Sequence, residues 1–135
     1  MSKTFYIASA SREPDHREKV HAIGKKLFQD FGWTWHENYD WTRGFEAETN
    51  YPKHELIWRA KMDLIGARDA DIFIFWDVGI PSLGANREYG IRWGQERTLY
   101  RVAATQDHLF DQLDHVVNLE TLEELFEVLE TREVE

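Results

Sequence analysis

The chain reads as an α/β protein with a doubly wound, five-stranded parallel sheet in the order 2-1-3-4-5, covered by helices on both faces in three layers. Three observations predict this. Asp71 to Asp77 encloses the run Ile-Phe-Ile-Phe-Trp, continuous in large apolar residues with no polar alternation, as in a strand buried on both faces of a parallel sheet. Short β-prone runs alternate with helical patterns along the whole chain, so each parallel pair has a crossover. After the central run, Gly79, Pro81 and Gly84 break the pattern before a helix resumes, giving a strand, a tight loop and a helix start in succession.

Taken in order, Phe5 to Ala8 is the first strand and the small polar stretch Ser9 to Arg12 its loop. A helix starting between Ser11 and Pro14 carries Val20, Ile23, Leu27 and Phe31 on one face, and Gly32 ends it. Trp33 to His36 is the second strand, with Trp33 and Trp35 alternating onto one core face, and Glu37 to Lys53 is a polar, aromatic loop. His54 to Arg68 forms a second helix with Leu56, Ile57, Ala60, Leu64 and Ile65 as its inward face. A third helix runs from Ala85 with Glu88 in its first turn. Thr98 to Ala103 and His115 to Asn118 are the fourth and fifth strands. Thr121 to Glu124 has capping-box spacing and opens a last helix with Leu122, Leu125, Phe126 and Leu129 inward, and the tail from Thr131 to Glu135 is expected to fray. In the 2-1-3-4-5 order the chain reverses direction between strands one and three. The ligand crevice then lies at their carboxyl ends, where Ser9 to Arg12 and Asp77 to Glu88 meet.

Composition limits the function. A chain of 135 residues is expected to form a single domain, 1–135, with 42% hydrophobic and 30% charged residues, ordinary values for a globular protein. No apolar run reaches membrane-span length, and Phe5 to Ala8 is too short for a signal-peptide core, so a cytoplasmic protein with no membrane partner is expected. With no cysteine, thiol chemistry and thiolate metal sites are excluded. The six histidines show no HExxH or similar spacing, so neither a metal nor another cofactor is expected. A formal charge of −9 argues against a nucleic-acid polymer but leaves room for a small phosphate ligand in a local basic pocket. Aromatic residues at 14%, six of them tryptophan, exceed the needs of a core this size. Tyr39 and Trp41 in the long loop are candidates for stacking on a base.

The backbone N–H groups and dipole at the start of the third helix favour negative charge, either a bound phosphate or an ionised Glu88 acting as nucleophile. Taken alone, Glu88 reads first as a solvated first-turn glutamate complementing the dipole. Its setting adds to this. Tyr6 in the first strand followed by small residues and Arg12, the Asp63 to Asp71 spacing, and Pro81-Ser82-Leu83-Gly84 leading to Glu88-Tyr89-Gly90 resemble the nucleoside 2-deoxyribosyltransferase superfamily. Within it they are most similar to the 2'-deoxynucleoside 5'-phosphate N-hydrolases, over roughly residues 4 to 103. The resemblance implies a flavodoxin-like sheet, Glu88 as the nucleophile at C1' of the sugar, Tyr6 orienting it, and Asp63 protonating the leaving base. It also implies a 5'-phosphate held by Arg12 and by Ser82 with neighbouring amides. Ser9, Ser11, Asp77 and Gly84 would share the substrate-binding crevice.

Two departures matter. Leu83 stands where transferases acting on free nucleosides typically carry an Asp, which favours a monophosphate substrate. Ser11-Arg12-Glu13-Pro14 replaces the Gly-rich run of the hydrolases. Each residue also has a plainer role: Asp63 on a helix surface, Tyr6 in the core, Arg12 paired with Glu13 or Asp15, Ser82 in a turn.

Cleaving an N-glycosidic bond passes through an oxocarbenium-like state and calls for one ionised and one protonated carboxyl group. Glu88 is the expected anion, and Asp63 the group of raised pKa. Hydrolysis of a nucleoside 5'-monophosphate to free base and sugar phosphate is the leading expectation. The alternatives are base exchange by a nucleoside deoxyribosyltransferase, a non-catalytic nucleotide-binding module on the same fold, and, more distantly, an NAD-consuming glycosidase. The partner is then a small nucleotide or nucleoside. The resemblance also implies a homodimer, for which Trp58 and Trp93 are candidate contacts.

Overall fold

A computed structural model describes residues 3–10, 14–36, 52–79, 82–103 and 109–134. The elements are β1 (Thr4–Ser9), α1 (Pro14–Phe31), β2 (Thr34–Trp35), α2 (Lys53–Asp69), β3 (Ile72–Asp77), α3 (Leu83–Gly94), β4 (Leu99–Ala103), a 3₁₀ turn (Leu109–Gln112), β5 (Val116–Leu119) and α4 (Leu122–Glu133). The five strands form one sheet, β2-β1-β3-β4-β5, with all pairs parallel. This is the predicted doubly wound order.

Strand alternation divides the core into two halves. Phe5 and Ile7 of β1, Ile72 and Ile74 of β3, and Tyr100 and Val102 of β4 face Val20, Ile23 and Leu27 of α1 and Leu125 and Leu129 of α4. The intervening residues Tyr6, Ala8, Phe73, Phe75 and Leu99 face Ala67 of α2 and Ala85 of α3. So α1 and α4 cover one face, and α2 and α3 the other. Trp33 and Trp35 both pack on the first half, as alternation requires.

Local signals hold where chemistry specifies them. Gly32 adopts φ 74°, donates from its N–H to the Phe28 carbonyl at 2.9 Å, and so ends α1 in the left-handed conformation that glycine tolerates. Thr121 caps α4 by accepting the Glu124 N–H at 3.2 Å.

Three expectations are corrected. The α2 face is not inward as the periodicity predicts: Leu56, Ile57 and Leu64 are exposed, and only Gly66 and Ala67 are buried on that helix. Helix α2 touches the sheet through its small C-terminal residues, so the large apolar side chains lie beyond the sheet's cover. Thr131 to Glu133 continue α4 instead of fraying, and Glu133 accepts hydrogen bonds from Tyr100 and Lys3. Finally, α3 begins at Leu83 rather than Ala85, which moves Glu88 into its second turn.

Candidate active site

Three elements bring three side chains together on the α2/α3 face. Tyr6 is in the middle of β1, 3% exposed, and its hydroxyl donates to Glu88 Oε2 on α3. The charge of Asp63 on α2 acts directly on Glu88. Gly66 explains how α2 comes so close. A Cβ on Gly66 would lie 2.4 Å from Tyr6 Cδ2, so a side chain there is incompatible with the tyrosine ring. Asp63 precedes Gly66 by three residues and shares its helix face, which turns Asp63 toward the same spot.

The electrostatics differ from the sequence expectation. Glu88 is not the carboxyl held ionised by a helix N-terminus. Burial, and then the neighbouring Asp63 charge, push it up from 4.5 to about 8, against the opposing effect of the Tyr6 hydrogen bond. The second-turn position is the physical reason, since the dipole's influence fades beyond the first turn and leaves desolvation in charge. The pair of carboxyl groups therefore holds a proton at neutral pH.

The other predicted residues fall around the carboxyl ends of β1 and β3. Ser82 is the N-cap of α3, its Oγ accepting the Ala85 N–H at 3.2 Å. Gly84 is exposed in the first turn, with open space where a Cβ would be. Ser9 is buried and donates its hydroxyl to the Trp76 carbonyl at 2.9 Å. Asp77 ends β3, where Oδ1 accepts the Gly79 N–H at 3.0 Å and Oδ2 accepts from Arg101 at 3.2 Å. Ser11, Arg12, Tyr39 and Trp41 lie outside the described residues. Among the described residues no group of three His, Asp or Glu is placed to hold a metal ion, and no helix is long and apolar enough to cross a membrane.

Sequence reading missed two arginines. Arg92 is fully buried and donates to the Ala70 carbonyl at 2.6 Å and the Asp71 carbonyl at 3.1 Å, tying α3 to the carbonyls at the end of α2. Arg101, 5% exposed, bridges Asp77 and, at 3.4 Å, Asp111. A charged residue inside an otherwise apolar strand, Leu-Tyr-Arg-Val-Ala, was the available signal, because such a charge is buried only when paired.

The part-buried Tyr6–Glu88 pair, with a second carboxyl alongside, thus lies on one face of a five-stranded doubly wound sheet. Among solved structures the chain is similar in fold to a Clostridium botulinum CMP N-glycosidase, BcmB, with a TM-score of 0.58 over 96% of this chain and 99% of that one, at 14% sequence identity. No family model matches the sequence, and a search of the curated proteins finds no match.

Proposed function

We propose that this protein hydrolyses the N-glycosidic bond of a nucleoside 5'-monophosphate, with Glu88 as nucleophile and Asp63 as acid and base. The observation that carries the reading is the convergence of Tyr6, Asp63 and Glu88 from three elements onto one part-buried point. Two carboxyl groups and one proton are what the reaction needs. In the resting site the shared proton sits on Glu88, and the reaction starts when it passes to Asp63, the Tyr6 hydrogen bond favouring the Glu88 anion so formed. The Glu88 carboxylate then attacks C1', and the bond from C1' to the base nitrogen breaks. Its electron pair leaves with the base, which takes the proton from Asp63. Water, deprotonated by Asp63, attacks C1' of the glycosyl ester, releasing sugar phosphate and restoring Glu88. Ser82 uses its oxygen to cap α3 and retains its hydroxyl hydrogen for a phosphate oxygen, with Arg12 as the counter-charge. The name of the fold neighbour, a CMP N-glycosidase, makes CMP the first substrate to try.

The apolar side chains that α2 leaves outside, Leu56, Ile57, Leu64 and Trp58, the last 58% exposed, fit a second copy of the chain. In this reading the homodimer forms on the helix that carries Asp63.

The test is chromatographic. Ribo- and deoxyribonucleoside 5'-monophosphates and the matching nucleosides are incubated with the protein, with and without a second free base. Base released from monophosphates without acceptor is the expected result. A new nucleoside formed only with acceptor would make it a transferase, and no release from any compound would leave a binding module.

A further inference from the structure

Glu88 and Tyr89 are consecutive on α3, and each ends in a phenol–carboxylate hydrogen bond of opposite polarity. Glu88 accepts from Tyr6 on β1, whereas Tyr89 donates at 2.5 Å to Asp111 Oδ1 in the 3₁₀ turn. The Tyr89 ring also meets Phe75 of β3 edge-on, with centroids 4.7 Å apart. Asp111 is buried and held twice more: Arg101 Nε lies 3.4 Å from its Oδ2, and Asn118 donates to its backbone carbonyl at 2.6 Å. Arg101 donates on to Asp77 at the carboxyl end of β3. The whole assembly spans β3, β4, the 3₁₀ turn and β5, and the proposed reaction gives none of it a chemical step.

We propose that Tyr89, anchored through Asp111 and Arg101, is a positioning residue that fixes the rotation of α3 about its axis and so sets the Glu88 carboxyl under Tyr6 and beside Asp63. The inference rests on the reading of Glu88 as nucleophile. A helix lying on a sheet can roll, and one side-chain contact does not stop it. Successive residues point about 100° apart around the axis, so polar anchors at 88 and 89 pin it on two sides. The charged members of this part-buried network, Asp77, Arg101 and Asp111, are all paired, which holds one geometry, and a carboxylate displaced by an ångström loses its line of attack. The phenol also stays protonated, because burial and the Asp111 carboxylate raise its pKa well above the ordinary range, so the anchor does not release at working pH.

The experiment compares Tyr89→Phe with Tyr100→Phe. Each keeps its ring and removes one phenol from a bond to a carboxylate, but Tyr100 bonds Glu133 on the opposite face of the sheet. Two readouts are taken: steady-state release of base from CMP, and the ¹³C-NMR titration of the Glu88 carboxyl, assigned with Glu88→Gln. The groups facing Glu88 are Tyr6 from β1 and Asp63 from α2, and both are intact in each variant. Tyr89→Phe is expected to lose at least about tenfold in kcat with KM changed by less than about threefold, while Tyr100→Phe stays within about twofold on both. Glu88 should titrate lower than in wild type only in Tyr89→Phe, as water reaches a shifted carboxyl. The same kcat, or the same Glu88 titration, in the two variants overturns the proposal. Should the wild type release no base, the hydrolase reading fails, and the titration alone decides the positioning claim.

Discussion

Replacing Glu88 by glutamine should make the folded protein more stable, and only above a definite pH. Glutamine keeps the carbonyl that accepts from Tyr6 and offers an amide to Asp63, but it never carries charge. In the wild type, the folded state holds the Glu88 proton to about 8, whereas an unfolded chain releases it near 4.5. The group's pKa is raised on folding, so its stabilising contribution is complete below about 4.5 and lost as pH rises through about 8. A difference of that size corresponds to on the order of 4 to 5 kcal/mol, and water reaching the partly exposed side chain reduces it to roughly 2 to 4 kcal/mol. Wild type and Glu88→Gln should therefore unfold together at about pH 4. The gap should open through neutrality and level off above pH 8 with the variant ahead by roughly 6 to 12 °C in Tm. Differential scanning calorimetry of both proteins from pH 4 to 9 reads this directly. A gap that is constant with pH, or a variant less stable than wild type at pH 9, would refute the argument that Glu88 is a buried, reluctantly ionised carboxyl.

Three further outcomes follow from the same geometry. If one proton shared by Glu88 and Asp63 is essential, kcat/KM should fall as pH rises past about 8, and a Glu88–Asp63 pair that gives a flat alkaline profile up to pH 10 contradicts it. Gly66→Ala places a methyl group 2.4 Å from the Tyr6 ring, so it should cost on the order of 1 to 3 kcal/mol in urea unfolding and lower base release. Unchanged values for both would mean α2 does not approach β1 as described. Trp58→Glu should convert a dimer to a monomer in light scattering, and a wild type that is already monomeric at high concentration removes the dimer.

The fold was legible because its signals are local and agree with one another. The unbroken apolar run at Ile72 to Trp76, the Gly32 stop and the Thr121 cap each specify backbone without help from distant residues. The packing of α2 was not legible. Leu56, Ile57 and Leu64 keep a helical period, yet periodicity says which residues share a face and not what that face meets. Glu88 was found through its motif, but its ionisation was misjudged. The helix start was set two residues late, and those two residues separate a first-turn anion from a second-turn buried acid. Gly66 and the Arg101 network escaped because their meaning lies in contacts across the sheet. A glycine inside a helix and an arginine inside a strand are local anomalies, and such anomalies were the only trace the sequence carried.

The central claim is that the Glu88 carboxylate forms the bond to C1'. The most direct measurement compares base release from CMP by wild type and by Glu88→Gln, with circular dichroism confirming that both are folded. A fall of at least about a thousandfold in kcat for a protein as well folded as wild type is the predicted result. Base release by Glu88→Gln within about tenfold of the wild-type rate would contradict it, since the bond would then be breaking without that carboxylate.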